Sequence, residues 1–380
     1  MNYAARVERV EPSATLAVSN LAKELEADGV DVVDLSVGEP DFDTPAYIKE
    51  AANEALAAGE TGYTPSNGIP ALREAIATKL QDDGMSYDAG NVIVTPGAKH
   101  ALFETFQSVV DEGDEVVLLD PAWVSYEAQA KIAGGDLTRV DLSPYDFQLE
   151  PALEDLAEAV SDDTELLVVN SPSNPTGAVY SRDAMEGVRD LAVDHDVTVM
   201  ADEIYQHINY GPEHVSLATL DGMFERTVTV NGFSKAYAMT GWRLGYLAAP
   251  DGLVDQAGKV QSHSVSSAVN FVQHAGVAAL EGGNDEIETM VSAFEERRDL
   301  LIDLFDERDV AVPYPDGAFY MMIPVDDDDQ EWATQALREA NVATVPGSAF
   351  GTPGYVRISY AASADRLEEA VERLTGAGYL

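Results

Sequence analysis

Apolar residues along the chain form short uninterrupted runs that alternate with segments of helical spacing. The runs are NVIVT (91–95), EVVLLD (115–120), ELLVVN (165–170), VTVMAD (197–202) and TVTVN (227–231), and they are rich in β-branched residues. Segments 99–110 and 181–195 have the apolar spacing of helices, and Ser181 is placed to cap the second. Such alternation is typical of an α/β domain whose mostly parallel sheet is covered on both faces.

The C-terminal part of the chain has a different pattern. A helical pattern fills roughly 285–308, and it is followed by FYMMIPV, a helix near 330–340, VATVPGSAFG, YVRISYA and a last helix at 362–375. This order predicts a smaller α+β domain. We predict a large domain over 46–283 and a small domain built from 1–45 and 284–380, with Gly282 and Gly283 as the hinge. The acidic run 326–329 predicts a solvated loop, with a metal site as a weaker alternative.

Composition narrows the function classes. The 380 residues are 46% hydrophobic, which is enough to bury a real core. With 22 basic against 68 acidic residues the net charge is −46, which excludes nucleic-acid binding by phosphate neutralisation and disfavours anionic membranes. The absence of cysteine excludes disulfides, thiolate zinc sites and cysteine nucleophiles. The histidines show no ligand spacing, so no metal is predicted.

The acidic excess also bears on the environment of the protein. A chain this negative repels itself unless salt screens it, so we predict a cytoplasmic protein of a high-salt organism. The alternative is an acidic protein of ordinary salt. The N-terminal sequence has no apolar leader, and the chain has no run of 18 apolar residues. We therefore expect a soluble protein inside the cell.

Residues that can do chemistry follow the predicted strands at their carboxyl ends, where open α/β sheets bind ligands. They are Gly97, Ala98 and Lys99 at a helix start, Trp123, Asn174, Asp202 with Tyr205, and Lys235. Taken singly, each has a structural explanation as a turn, a core residue or a helix cap. Their succession at one edge of the sheet instead indicates a single ligand crevice.

The chemistry of this set fits pyridoxal 5′-phosphate. That cofactor needs a lysine amine, a carboxylate against its pyridine nitrogen, donors for its phenolic oxygen, an anion site for its phosphate and a ring to stack on. The candidates, in that order, are Lys235, Asp202, Asn174 with Tyr205, the helix start at 97–99 and Trp123. Arg243 is a second candidate for the phosphate.

Eight motifs, spread along nearly the whole chain, resemble those of a class I/II aminotransferase of the fold-type I pyridoxal phosphate family. They are VGEPDFDTP, GYTPSNGIPALREAI, PGAKHAL, DPAWVSY, NSPSNPTG, ADEIY, NGFSKAYAMTGWRLGY and YVRISYA. SPSNPTG and the FSK…GWRLGY block are the most specific. The resemblance is greatest to the aspartate/prephenate subgroup, and it implies a large domain with a seven-stranded sheet.

The resemblance also implies roles for the cofactor residues. Lys235 would form the Schiff base and then move the proton between the substrate and the cofactor, while Asp202 would pair with the ring nitrogen. Asn174 and Tyr205 would hold the phenolic oxygen, and Trp123 would stack on the ring. The phosphate would lie on the backbone amides of Ala98 and Lys99 and on Arg243. A hydroxyl residue common in relatives is replaced here by Gly232, and Ser234 is a candidate to compensate.

For the substrate and the assembly, the resemblance implies further positions. Arg357 would clamp the substrate α-carboxylate by a bidentate pair, and Gly38 would let the backbone approach the same group. Tyr63 would reach the phosphate in a neighbouring subunit, which implies a homodimer with a shared active site; a packing role at the interface is the alternative. The Asn174–Pro175 peptide bond is expected to be cis.

Lys99 bears on the choice of substrate. A cation in the first turn of a helix opposes the helix dipole, and an acidic substrate side chain would offset this. We therefore predict transfer of the amino group from aspartate to 2-oxoglutarate by a ping-pong mechanism, with Trp123, Asn174 and Lys99 also contacting substrate. In the alternative, Lys99 only extends to solvent or aids the phosphate. Prephenate, aromatic and alanine specificities and a C–S or C–N lyase on the same scaffold remain open.

Overall fold

The computed structural model describes residues 3–11, 14–326 and 328–380. The strands are β1 (Val33–Asp34), β2 (Val92–Thr95), β3 (Glu115–Asp120), β4 (Asp136–Asp141), β5 (Thr164–Asn170), β6 (Thr198–Asp202), β7 (Thr227–Gly232), β8 (Gly245–Ala248), β9 (Tyr320–Pro324), β10 (Val342–Ala343), β11 (Val345–Pro346) and β12 (Tyr355–Ser359). All five predicted strands of the first part of the chain are present. The edge strand β4 was not predicted, because its sequence DLTRVD mixes polar and apolar residues.

The helices are α1 (Ala5–Glu8), α2 (Ala14–Ala27), α3 (Ala46–Ala58), α4 (Pro70–Asp82), α5 (Ala98–Val109), α6 (Val124–Ala133), α7 (Leu153–Ala159), α8 (Arg182–Asp194), α9 (Asp251–Ser264), α10 (Asn270–Glu281), α11 (Asp285–Asp306), α12 (Asp329–Glu339) and α13 (Ala364–Ala377). The five predicted helices are present as α5, α8, α11, α12 and α13, and the other eight described helices were not predicted. Ser181 caps α8 as predicted, since its hydroxyl accepts a hydrogen bond from the amide of Ala184 at 3.1 Å. None of the described helices is both long and apolar enough to cross a membrane.

Seven strands form the central sheet in the order β2-β8-β7-β6-β5-β3-β4. Strand β8 runs antiparallel to both neighbours, and the other pairs are parallel, so the predicted mostly parallel sheet is confirmed. Alternate residues of one strand enter different cores: Val116 and Leu118 pack under α5, α6 and α9, whereas Val117 and Leu119 pack under α7 and α8. Burial on both faces explains why these strands are uninterrupted apolar runs.

A second group of elements packs around a three-stranded antiparallel sheet of order β11-β12-β9. Helices α11 and α13 cover it through a core that includes Phe294, Leu301, Phe319 and Leu367. The N-terminal segment joins this group, because β1 pairs in parallel with β10 and the amide of Ser359 donates to Leu35 O at 2.8 Å. The division into 46–283 against 1–45 with 284–380 stays a prediction.

Two expectations were wrong in detail. The acidic run 326–329 is not simply a solvated loop: the Asp328 side chain caps α12, and Asp329 is buried and accepts from the amide of Ser348 at 2.5 Å. Asp327 lies outside the described residues, within which no acidic or histidine cluster is arranged to hold a metal. The Asn174–Pro175 bond is not cis; the cis bonds are Asp120–Pro121 and Ser171–Pro172.

Candidate active site

A cavity of about 580 Å³ opens at the carboxyl ends of the parallel strands. Its lining contains most of the residues singled out from the sequence: Gly38, Ala98, Lys99, Trp123, Asn174, Asp202, Tyr205, Lys235, Arg243 and Arg357. Gly97 lies directly behind it, against the Arg243 side chain. Tyr63 is not part of the lining: it is 97% exposed and borders a separate groove with 265–271.

Lys235 follows β7, and its amine lies inside the cavity. The ammonium group donates a hydrogen bond to the carbonyl of Gly38, and it lies 5.4 Å from the ring centre of Tyr205 and 5.5 Å from that of Phe319. Desolvation in this apolar surrounding, together with the charge of Arg357, lowers the pKa of Lys235 to about 8. About a tenth of the amine is therefore unprotonated, and hence nucleophilic, at pH 7, far more than for a lysine with its ordinary pKa.

Asp202 ends strand β6 and is only 3% exposed. Its carboxylate accepts a hydrogen bond from the Tyr126 hydroxyl at 2.6 Å and from the Ile204 amide at 3.2 Å. Burial raises the pKa of Asp202 to about 6, and the Tyr126 bond opposes that rise. A buried carboxylate with a raised pKa is stabilised in its ionised form when a cation binds beside it, which suits it to a protonated ring nitrogen.

Asn174, Tyr205 and Arg357 form one buried hydrogen-bonded chain with Tyr320. The Asn174 amide donates to the Tyr205 hydroxyl at 3.5 Å, and the hydroxyls of Tyr205 and Tyr320 are 2.9 Å apart. Arg357 donates to Asn174 Oδ1 at 3.0 Å and to the carbonyl of Ser36 at 2.6 Å. Arg357 is 3% exposed, and its Nε has no partner within the described structure. A buried guanidinium with a free donor is ready to bind a carboxylate.

The start of helix α5 forms a cradle for an anion. Gly97 precedes the helix with φ +85°, and a Cβ there would lie 2.5 Å from Arg243 Nη2, so only glycine lets the arginine cross this turn. Arg243 is held over the helix start because its Nη1 donates to the carbonyl of Thr240 at 2.8 Å. Helix amides and a guanidinium at one point make a phosphate site.

The absence of a hydroxyl side chain at Gly232 has a steric reason. A Cβ at Gly232 would lie 2.9 Å from Gly245 Cα and 3.1 Å from the carbonyl of Leu244. Strand β8 therefore passes too close for any side chain at this position. Ser234 lines the cavity, and its role in holding a phosphate stays a prediction.

Lys99 reaches from the same helix start over Trp123. Its ammonium lies 4.7 Å from the centre of the indole, which is a cation–π distance. Burial, together with the charge of Arg243, lowers the pKa of Lys99. Lys99 therefore lines the cavity while its side chain stays exposed, and its role toward a substrate carboxylate stays a prediction.

Among the lining residues that the sequence reasoning missed, three bear on the chemistry of the site. Tyr126 and Tyr320 supply hydroxyls to Asp202 and Tyr205, and Lys23 reaches the lining from helix α2. Tyr126 ends the quoted motif DPAWVSY, three residues after Trp123, so helical spacing carried a usable signal for it. Tyr320 lies in an apolar segment and Lys23 in a helical one, and neither segment carried a signal for the site.

These residues fit pyridoxal phosphate. The site offers a lysine amine, a buried carboxylate, a phenol–amide pair, a helix-start cradle that a side chain at Gly97 would fill, and an indole. Each matches one functional group of the cofactor, and the free Nε of Arg357 is left for a carboxylate of a substrate. The fold and the site together define a pyridoxal-phosphate-dependent α/β enzyme.

Comparison with known proteins specifies the class further. Residues 30–374 match the family model for aminotransferases of class I and II, and the chain belongs to this family. It is 43% identical to an aspartate aminotransferase of Geobacillus stearothermophilus, with 98% of each chain covered. It is 44% identical to an aspartate/prephenate aminotransferase of Thermus thermophilus, with 97% of this chain and 96% of the relative covered.

The fold comparison agrees. A structure of Thermus thermophilus aspartate aminotransferase with maleate superimposes with a TM-score of 0.96 at 43% identity, covering 99% of this chain and 100% of that one. An aspartate aminotransferase of Thermotoga maritima gives a TM-score of 0.94 at 38% identity, covering 98% and 99%. The chain is thus a pyridoxal-phosphate-dependent transaminase of the fold-type I class, as the sequence predicted.

Proposed function

We propose that this transaminase uses aspartate as its preferred amino donor and 2-oxoglutarate as its acceptor. One observation carries the proposal: the cavity that contains Lys235 also contains Arg357 and Lys99, two separate cations for the two carboxylates of such substrates. Several similar proteins are named aspartate aminotransferases, and one was solved with maleate, a dicarboxylate.

The chain's own residues support a division of labour. Arg357 would bind the substrate α-carboxylate through its free Nε and orient the α-carbon toward Lys235. Pyridoxal phosphate, when bound, supplies a ring that accepts the electrons released at that carbon. Lys235, with its pKa lowered to about 8, would remove the proton from the α-carbon of the amino donor. In the second half of the reaction it would return a proton to the α-carbon of the acceptor. Asp202 would hold the ring nitrogen protonated.

The exposure of Tyr63 supports a homodimer. A tyrosine that is 97% exposed beside exposed Val265 and Val269 leaves apolar area uncovered on one chain. In our proposal a second copy covers this surface, and its Tyr63 completes the phosphate site of the first. Sedimentation of the wild type against Tyr63→Glu tests the assembly, and a monomeric wild type contradicts it.

The charge of the chain supports a requirement for salt. At a net charge of −46, repulsion is relieved only where the screening length is short, about 3 Å at 1 M salt. We propose that the folded enzyme needs molar salt, and that it works in the cytoplasm of an organism that maintains such salt. Dialysis to low salt should inactivate it, and full activity without salt contradicts this part.

A donor panel tests the proposed reaction. The purified enzyme in high salt receives pyridoxal phosphate, 2-oxoglutarate and one of aspartate, phenylalanine, alanine or cysteine, and the glutamate and oxo acid formed are quantified. Aspartate should give the highest kcat/KM, with equal amounts of both products. Release of ammonia or sulfide without glutamate would identify a lyase.

The variant Lys99→Gln sharpens the assignment of substrate. It should lower kcat/KM for aspartate more than for alanine, because only aspartate has a second carboxylate. Lys259→Gln, which removes an exposed lysine of α9 outside the cavity, is the matched control. A higher kcat/KM for phenylalanine than for aspartate in the wild type would overturn the choice of donor while keeping the reaction class.

A further inference from the structure

The charges of the active-site cavity are opposite to those of the chain as a whole. Five basic side chains line it, namely Lys23, Lys99, Lys235, Arg243 and Arg357, against two acidic ones, Glu39 and Asp202. In the full sequence acidic residues outnumber basic ones by 68 to 22. The cavity is therefore a positive site in a negative protein, and its low-dielectric walls focus that potential on acidic ligands.

Four of the five cations already have tasks in the proposed function. Lys235 and Arg243 serve the cofactor, Arg357 serves the α-carboxylate, and Lys99, which lies 4.7 Å over the Trp123 ring, serves the second carboxylate. Lys23 is left. It lines the cavity, and its side chain is exposed to solvent.

The packing of helix α2 fixes the direction of Lys23. Apolar residues of the helix, Ala22 with Val18, Leu21 and Leu25, pack against Leu337 and Ala343. Ser19 and Lys23 lie one turn apart on the neighbouring face, and both line the cavity. The helix thus presents a hydroxyl and an ammonium group to the ligand while its apolar face anchors it.

Each of the two acidic side chains of the cavity accepts a hydrogen bond from a residue other than Lys23. Glu39 accepts a hydrogen bond from the Thr240 hydroxyl at 2.8 Å, and Asp202 is buried against Tyr126. An acidic substrate is therefore the natural partner for Lys23. We propose that Lys23 is a specificity-determining residue, which binds the distal carboxylate of dicarboxylic substrates together with Lys99.

This inference rests on the proposed function, so its test separates the two. The probes are maleate, an unreactive dicarboxylate, and butyrate, a monocarboxylate, and calorimetry measures their binding to the enzyme loaded with pyridoxal phosphate. The variants are Lys23→Gln, Lys23→Arg and the control Lys259→Gln. Steady-state kcat/KM for aspartate and for alanine is measured on the same preparations.

The expected effect is modest because Lys23 is exposed. Lys23→Gln should weaken maleate binding and lower kcat/KM for aspartate roughly three- to fivefold, while butyrate and alanine change less than about twofold. Lys23→Arg should restore both values, since it keeps the charge, and Lys259→Gln should change neither.

Two results overturn the inference in different ways. In the first, the wild type prefers maleate to butyrate, and Lys23→Gln either keeps that preference in full or lowers kcat/KM for aspartate and for alanine equally. The role assigned to Lys23 is then wrong, while the proposed function stands. If the wild type binds maleate no better than butyrate and does not use aspartate, the proposed function fails and the inference fails with it.

Discussion

The hydrogen bond from Tyr126 to Asp202 gives a prediction whose size follows from the structure. The Tyr126 hydroxyl donates to the Asp202 carboxylate at 2.6 Å, and both groups are buried. A hydrogen bond to a charged group contributes about 1.5–3 kcal/mol, and one pKa unit corresponds to about 1.4 kcal/mol. Tyr126→Phe removes a bond that the ionised carboxylate accepts more strongly than the neutral acid does, so the pKa of Asp202, now about 6, should rise further.

Cofactor affinity reports this change. The ionised carboxylate is the form that pairs with a protonated ring nitrogen, so affinity is full above the Asp202 pKa and is lost as the pH falls through it. Pyridoxamine phosphate is the suitable ligand, because it cannot form a Schiff base with Lys235. In the apoenzyme its affinity should fall with a midpoint near pH 6 in the wild type, and about one to two pH units higher in Tyr126→Phe.

At pH 7 the variant should therefore bind about two- to tenfold more weakly, and at pH 9 the two proteins should converge. Tyr145→Phe is the matched control, because the Tyr145 hydroxyl donates to Asp155 at 2.8 Å on the exposed surface, and neither residue lines the cavity. Fluorescence titration across pH 5–9 at constant high salt measures the curves. An unchanged midpoint in Tyr126→Phe, or an equal loss of affinity at every pH, would refute the reasoning.

Three further predictions concern single residues. Lys235→Ala should retain weak cofactor binding and lose turnover by more than a thousandfold, as steady-state assays would show; normal rates would remove Lys235 from the mechanism. Arg357→Lys should lower kcat/KM for aspartate about ten- to a hundredfold, because an ammonium group cannot keep the bonds to Asn174 and Ser36 and also bind the carboxylate; an equal kcat/KM would contradict this. Burial raises the Asp202 pKa, so the apoenzyme loses stability as the pH rises from 4 through about 6. Asp202→Asn should remove that loss, so urea unfolding should show the variant gaining about 3 kcal/mol of stability relative to the wild type between pH 4 and 7. Parallel curves of stability against pH for the two proteins would disprove this.

Much of this fold could be predicted because its strands are buried on both faces. Strands such as β5 and β6 must then be uninterrupted apolar runs, which a sequence displays directly. Strand β4 lies at the sheet edge, where it pairs on one side only and carries several polar residues. Its sequence is therefore not an apolar run, and the hydrophobic pattern did not predict it. The acidic run at 326–329 was misjudged because one carboxylate, Asp329, satisfies a backbone amide inside the fold.

The site was predictable to the extent that its residues end strands. The places of Asp202 and Asn174 in the site could be predicted, because the carboxyl ends of the parallel strands β5 and β6 meet at one edge of the sheet. Tyr320 comes from the distant β9 and contacts Tyr205 only through tertiary packing, for which local sequence gives no signal. Lys23 belongs to a helix whose orientation depends on its contacts with Leu337 and Ala343, so its place in the cavity needed the structure.

The central claim is that one cavity carries an amino group from a dicarboxylic amino acid to a dicarboxylic oxo acid by way of pyridoxal phosphate at Lys235. A single-turnover absorbance titration of the loaded enzyme in high salt tests it most directly. Stoichiometric aspartate should convert the visible absorbance to that of pyridoxamine phosphate, and 2-oxoglutarate should restore it. An absorbance that aspartate leaves unchanged, or that 2-oxoglutarate fails to restore, would contradict the account.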